Sequence, residues 1–308
     1  MTVPMAELGG EVRSFFLMGA PRCGTTFVAK LLARHPQVCF SKPKEPHVFV
    51  REANPLSPRE YLHRYHPHLT RAHRVIAEGS PSYLYDPEAS RRILDFDPDA
   101  RFAVCVRNPV EMAPSYHARL VYTLDEDVQD FEEAWSLQAA RARGERVPRR
   151  CRDARLLQYR AACSLGEQLE GLFARVERER CFVAVFDDLT ANPDKVYRDL
   201  LDFMGLDHDE RTEFAPKNQH REFESPRLQA YLMNPPRPVA ALIGVWERHG
   251  WGTPRAYRAF QKWLKRSNTR KVARPPLGRG TREMLRATFA SDVQKLSDLL
   301  GRDLSHWC

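Results

Sequence analysis

The segment from Ser14 to Thr26, with the text SFFLMGAPRCGTT, restricts this chain to few folds. Phe15 to Met18 form a short apolar run that breaks at Gly19 into small residues, and an apolar-periodic stretch resumes at Phe27. That order predicts a buried strand, a tight loop and the first turn of a helix. The leading N–H groups of a helix have no partner inside it, and its dipole puts positive potential at that end. The loop is therefore suited to an anion. A strand–turn–helix that binds nothing is the plain alternative.

Set against the phosphate-loop pattern G-x4-G-K-[ST], the segment agrees except at one position. Gly19 and Gly24 have the required spacing and Thr26 supplies the hydroxyl, but Thr25 stands where the lysine belongs and Arg22 is the loop's cation. In nucleoside triphosphatases the lysine reaches the β- and γ-phosphates and the following hydroxyl holds Mg²⁺. With the cation moved forward, two hydroxyls at the helix start and no evident strand ending in a metal-binding Asp, the expected ligand bears phosphate without being a metal-bound triphosphate.

The chain has 308 residues, 43% hydrophobic and 29% charged, enough for one large α/β core or two small ones. No apolar run reaches membrane-spanning length. Met1 to Glu11 lack the basic and apolar regions of a signal peptide. The 7 cysteines show no paired spacing, and Cys23, Cys39 and Cys105 fall in or beside expected core strands. Reduced thiols and a cytoplasmic location are the expectation. A net charge of +8 suits nucleic acid, an anionic membrane or an anionic small molecule without choosing among them. Arg141, Arg143, Arg146, Arg149, Arg150, Arg152 and Arg155 crowd one stretch interrupted by Gly144 and Pro148. This reads as a basic loop or lid, either simply solvated or facing an anionic acceptor. A second basic group runs from Arg255 to Arg286.

Further strands are expected at Val38–Phe40, Arg74–Glu78, Arg101–Val106 and Cys181–Phe186, alternating with helical patterns. The helical stretches include Arg91–Asp97, Asp130–Ala142, Leu156–Val176, a segment opened by Pro193 and ended by Gly205, and Thr281–Leu300. Alternation of this kind gives an α/β fold of three layers, with a central parallel sheet of about five strands between helices. One domain, 1–308, is expected, with 116–160 and 214–280 as segments covering acceptor and donor.

Ligands of such sheets bind outside the carboxyl ends of the strands. After the second strand, Lys42-Pro43-Lys44-Glu45-Pro46-His47 reads as a stiffened, extended loop. Cations beside Glu45 favour its ionised form, as a general base requires, whereas burial would raise its pKa. A surface ion pair is the alternative. The fourth strand delivers Arg107 at its end, eight residues before Ser115 in the following helix. The two could flank one anion, or Arg107 could serve neighbouring carbonyls. His63, His66, His68 and His73 are irregularly spaced and make a weak metal motif.

Taken in order, Gly19-Ala20-Pro21-Arg22-Cys23-Gly24-Thr25-Thr26, Lys44-Glu45-Pro46-His47-Val48-Phe49, Glu78-Gly79-Ser80-Pro81-Ser82-Tyr83, Val106-Arg107-Asn108-Pro109 with Ser115, and the ending Leu299 to Trp307 resemble a family. It is that of the sulfotransferases that use 3′-phosphoadenosine 5′-phosphosulfate, and the bacterial soluble members related to heparan sulfate sulfotransferase domains are the most similar branch. The resemblance implies that Arg22, Cys23, Gly24, Thr25 and Thr26 cradle the 5′-phosphosulfate, and that Arg107 and Ser115 bind the 3′-phosphate. It implies Glu45 as catalytic base, with Arg22 at the leaving phosphate and His47 as alternative base, acceptor-positioning residue or partner of Glu45. Arg270 and Lys271 stand for the family's late basic loop, although its Lys-Gly-Arg pattern is missing. Heparan-type members carry a lysine where this chain has Gly79, and Lys42 or Lys44 is the candidate replacement. No metal is implied, and the acceptor would be a hydroxyl or amine of a carbohydrate or small molecule, not nucleic acid.

A phosphate-loop kinase would need the missing lysine, an Asp-ended strand and Mg²⁺. A non-catalytic polyanion binder would rest on the +8 charge, with salt-sensitive binding indifferent to Glu45.

Overall fold

A computed structural model of the chain describes residues 12–50, 56–214, 221–233, 254–271 and 276–308, with single positions between 236 and 245. The described residues belong to two compact units, one drawn from Met1–Ala113, Arg160–Lys217 and Arg282–Cys308 and the other from Pro114–Tyr159 and Asn218–Thr281. Met1 to Glu11, and with them the signal-peptide question, lie outside the described residues, as does part of 214–280.

The first unit holds the sheet. Its strands are β1 (Arg13–Gly19), β2 (Val38–Phe40), β3 (Val75–Glu78), β4 (Arg101–Val106) and β5 (Cys181–Val185). They lie in the order β2-β3-β1-β4-β5, and every pairing is parallel. Parallel strands are covered on both faces, which explains their near-continuous apolar text: Phe15, Leu17, Val104 and Cys105 are all at most 2% exposed. The register sets Phe16 opposite Glu78 on one side and Phe102 on the other. β1 is thus the middle strand, and the chain leaves it beside the ends of β3 and β4.

The covering helices follow from local signals. Helix α1 (Thr25–Leu32) begins at Gly24. Helix α2 (Pro58–Tyr65) opens with a capping box, in which the Ser57 hydroxyl accepts from Glu60 N and Glu60 answers at Ser57 N. Then come α3 (Ser82–Tyr85), α4 (Pro87–Phe96), capped by Asp86, and α5 (Pro109–Thr123), which carries Pro114 inside. The patterns expected to be single helices are broken. Residues 130–142 form α6 (Phe131–Ser136) and α7 (Gln138–Ala142), and residues 156–176 form a 3-10 turn, α8 (Tyr159–Cys163) and α9 (Leu165–Phe173). Phe186, expected to close β5, instead starts α10 (Phe186–Ala191). Helix α11 (Pro193–Met204) has proline in its first turn and ends at Gly205 with φ 64°. Further helices among the described residues include α12 (Pro226–Met233), α13 (Arg255–Ser267) and α14 (Arg279–Leu300).

The second unit is organised by charge. Arg141 and Glu126 have fully buried side chains joined by two bonds of 2.5 and 2.6 Å, and the Tyr159 hydroxyl donates to the same carboxylate at 2.5 Å. Burial works against the ionised Glu126, but Arg141 and Tyr159 prevail and hold its pKa below the usual value. Arg152 is paired with the buried Asp125 at 2.6 Å, while Arg143 and Arg155 pair with Glu145 and Asp153. The basic stretch is therefore not one open lid. Arg141 is a buried structural residue, whereas the other arginines of the stretch are exposed, Arg143, Arg152 and Arg155 with acidic partners. The unit also contains a short antiparallel ribbon of β6 (Arg221–Phe223) and β7 (Thr269–Lys271).

Replacing Arg141 by Leu leaves the Glu126 carboxylate buried without its cation. The expected loss is about 3–5 kcal/mol in chemical denaturation at neutral pH. Because the folded pKa of Glu126 is depressed, its contribution is present above its unfolded value and disappears as pH falls through the folded one. The wild type and R141L should therefore converge toward acid pH.

Candidate functional site

The loop after β1 is shaped by two glycines. At Gly19, φ is 158° and a Cβ would lie 2.9 Å from both Pro81 O and Leu84 Cβ. At Gly24, φ is 96° and a Cβ would meet Leu189 Cδ1 at 3.0 Å. Gly24 supplies no side-chain cap, so α1 starts with its leading amides turned to the loop. Between the glycines Arg22 is exposed with φ 68°, and Cys23 is fully buried. The Cys23 thiol lies 3.5 Å from Pro21 O and from Met112 Sδ, and its N–H donates to Ala20 O. Burial pushes that thiol well above its ordinary pKa. Cys23 thus offers the loop its shape, with the sulfur turned inward. Thr25 is buried and Thr26 exposed.

Arg107 follows β4 directly and comes to this loop. Its Nη1 donates to Arg22 O at 3.2 Å, and its guanidinium carbon stands 4.4 Å from the centroid of the Phe186 ring. Arg107 thus serves a neighbouring carbonyl, as one of its two expected readings has it, and its guanidinium rests on an aromatic face beside the loop. Ser115 is 2% exposed on α5, in the part of that helix assigned to the second unit. Arg270 and Lys271 lie on β7, with Arg270 opposite Glu222 of β6.

The loop after β2 is pinned by Phe49, which is 7% exposed and packs edge-on against Phe16, Tyr83 and Phe96 at 5.3–5.8 Å between ring centroids. It brings three chemically active side chains together. Lys44 Nζ is 2.6 Å from Glu45 Oε1, His47 Nε2 is 3.8 Å from Glu45 Oε2, and His47 Nδ1 is 2.7 Å from Ser82 Oγ. The extended reading of this loop fails at His47, where φ is 53°, and Glu45 and His47 still come within reach of one another. A Cβ on Gly79 would sit 3.4 Å from Lys44 Cε, so the Lys44 stem occupies the space above that glycine.

One carboxylate at this edge is not singled out by sequence pattern. Glu78 is the last residue of β3 and 1% exposed. It accepts from the Tyr61 hydroxyl, from Ser80 Oγ at 3.0 Å and from the Tyr83 hydroxyl. Burial pushes its pKa up to about 7 against the pull of these three donors. An acidic residue ending an apolar strand was the available signal.

The histidine-rich stretch is used structurally. His66 is buried, with Nδ1 3.1 Å from Cys39 O, and burial lowers its pKa to about 4. Among the described residues no group of His, Cys, Asp or Glu could hold a metal ion. Asp187 and Asp188, at the start of α10, receive the C-terminal segment. Arg302 Nη2 donates to Asp188 at 2.9 Å, and the buried Trp307 donates its Nε1–H to Asp187 at 2.9 Å.

Four strand ends therefore meet: a glycine loop opening a helix, an arginine beside it, and a Lys–Glu–His loop held by the segment after β3. This is an α/β protein with a glycine-shaped loop at a helix N-terminus and a carboxylate at the carboxyl edge of its sheet. A model of the sulfotransferase family matches residues 14–210, more than half of the chain, and the chain belongs to that family. It is 33% identical over 121 residues to human heparan sulfate glucosamine 3-O-sulfotransferase 6, a stretch that is 38% of this chain and 34% of that protein. The chain thus spans about a third of the length of that curated relative. The crystal structure of a sulfotransferase from Alicyclobacillus acidocaldarius superposes with a TM-score of 0.65 at 24% identity, over 96% of this chain and 98% of that one, and shares the fold. Among the described residues no helix is long and apolar enough to cross a membrane.

Adding a methyl at Gly24 forces a strained φ and a 3.0 Å approach to Leu189. G24A should lose about 1–3 kcal/mol in thermal or chemical denaturation. T26A, at an exposed position, should stay within about 0.5 kcal/mol of the wild type.

Proposed function

We propose that this sulfotransferase takes its sulfuryl group from 3′-phosphoadenosine 5′-phosphosulfate and passes it to a hydroxyl or amine of a carbohydrate or small-molecule acceptor. The observation that carries the reading is the juxtaposition of a glycine-shaped helix N-terminus with Arg22 and Arg107, the latter bonded to the loop at Arg22 O. Such a site favours phosphate, and Thr25 in place of the loop lysine weighs against a metal-bound triphosphate.

In this reading the loop amides from Gly24 to Thr26 and Arg22 hold the 5′-phosphosulfate, Thr25 and Thr26 contribute hydroxyls, and Cys23 sets the turn. Arg107, with Ser115, holds the 3′-phosphate, and Arg270 and Lys271 remain candidates for further contacts with it. The acceptor oxygen attacks sulfur in line with the bridging oxygen. As the new S–O bond forms, the old one breaks, the bisphosphorylated nucleotide leaves, and the acceptor's proton passes to Glu45. Charge spreads over the sulfuryl oxygens during transfer, so cations placed there lower the barrier by electrostatics and positioning. Lys44 is the cation that replaces the family lysine missing at Gly79, and its bond to Glu45 brings base and cation to one place. His47 orients Glu45 or the acceptor. Residues 116–160 and 214–280 cover acceptor and donor in this reading.

Two experiments test this. Binding of 3′-phosphoadenosine 5′-phosphate should survive a metal chelator, and R22A should lose about 1.5–3 kcal/mol of it. R107A should weaken that nucleotide far more than adenosine 5′-monophosphate; equal losses would return Arg107 to a purely structural role. With radiolabelled donor and a panel of acceptors, Glu45→Gln should keep nucleotide affinity and lose transfer by about 10²–10⁴-fold. If Glu45→Gln turns over normally while His47→Ala is inactive, the base is His47.

A further inference from the structure

The loop that carries Lys44, Glu45 and His47 is sewn to the segment after β3 at several points. Ser41 N donates to Ala77 O at 2.7 Å, and Gly79 N donates to Lys44 O at 3.1 Å. His47 N donates to Ser80 Oγ at 3.1 Å, and Phe49 N donates to the Tyr83 hydroxyl at 3.3 Å. The last two stitches share a property. A hydroxyl has one proton and two lone pairs, and acts as an acceptor toward a neighbour most reliably when its proton is committed elsewhere. Both hydroxyls gather on the same buried group: Ser80 donates to Glu78 Oε1 at 3.0 Å, and Tyr83 is bonded to Glu78 and to Ser80, so the three form one network. Tyr61 donates to the remaining oxygen, Oε2.

We propose that Glu78 is a positioning residue: by taking the protons of Ser80 and Tyr83 it turns their lone pairs onto the N–H groups of His47 and Phe49, and so holds the Glu45–His47 pair at the reacting edge. The role suits a carboxylate and not an amide. Glutamine has the same shape but offers one acceptor oxygen and two N–H donors, so one hydroxyl would have to reverse. The strained turn gives the arrangement its purpose. His47 has φ 53°, a conformation that costs energy for a side chain branched into a ring and persists only where its surroundings impose it. Its amide bond to Ser80, together with the ring's 2.7 Å contact to Ser82, supplies that imposition from one short segment. Glu78 thus acts on Glu45 and His47 without touching either.

The inference rests on the assignment of Glu45 and His47 to the reacting site, and its test separates the two. Amide hydrogen exchange is measured on the full chain for wild type and E78Q, with thermal stability and binding of 3′-phosphoadenosine 5′-phosphate measured in parallel. The amides of His47 and Phe49 should exchange at least ~10-fold faster in E78Q while those of β1 and β4 keep their protection. Nucleotide affinity should stay within about twofold, and turnover of labelled phosphosulfate donor should fall ~10–100-fold through kcat. S80A should speed exchange most at the His47 amide and Y83F most at the Phe49 amide, so the proposal can be judged even if E78Q does not fold. In the Glu45→Gln background, E78Q should cost no further activity. Unchanged exchange at both amides, or a uniform rise across the sheet that tracks lower stability, overturns the positioning role. Normal turnover of Glu45→Gln overturns instead the assignment of the base and leaves the exchange result to decide the loop.

Discussion

The chain leaves its central strand through a gap that admits no side chain. At Gly19 even a methyl group would lie 2.9 Å from the carbonyl of Pro81 and from Leu84. The turn after β1 and the segment after β3 must therefore press together, and everything at the reacting edge inherits that contact. The same short segment, from Glu78 to Tyr83, faces Gly19 through Pro81 and the β2 loop through Ser80, Ser82 and Tyr83. It links the glycine loop to the carboxylate loop through a carbonyl, two serine hydroxyls and a tyrosine hydroxyl.

Charge is distributed in this protein by distance from water. Exposed pairs such as Lys195–Asp199 are surface decoration worth a few tenths of a kcal/mol. Arg141–Glu126 is a different object, since two fully buried side chains satisfy one another with the help of Tyr159. Glu78 is a third case, a buried carboxylate whose partners are hydroxyls and which burial has moved up to about 7. The Lys44–Glu45 pair stands between these extremes, with side chains 24% and 36% exposed.

The terminal segment shows the same economy of contacts. Leu304 and Trp307 are buried, and Arg302 and Trp307 hand their donors to Asp188 and Asp187. Those aspartates open α10, whose first residue, Phe186, carries the guanidinium of Arg107 on its ring. The ending that resembles the family's is thus coupled by packing to the arginine proposed for the 3′-phosphate.

The amino-acid sequence by itself determined the parallel sheet, because apolar runs of strand length recur between helical patterns, and buried strands of a parallel sheet need no alternation. It determined the strand–loop–helix at Gly19 to Thr26, since two glycines at fixed spacing before a helix leave backbone amides uncovered by side chains. It also marked Arg107 and the Lys44–Glu45–His47 stretch through charged residues at strand ends. Only the tertiary structure decided what depends on residues far apart in the chain. The extended reading of the β2 loop failed at His47 because its φ is set by a hydroxyl thirty-three positions away. The arginine-rich stretch read as an open loop because nothing near Arg141 announces that Glu126 will bury it. Glu78 looked like one more residue at the end of a strand, and its role arises from hydroxyls contributed by α2, by α3 and by the turn between β3 and α3. Local pattern reports what a residue prefers; whom it meets is settled by the packing of segments that sequence order keeps apart.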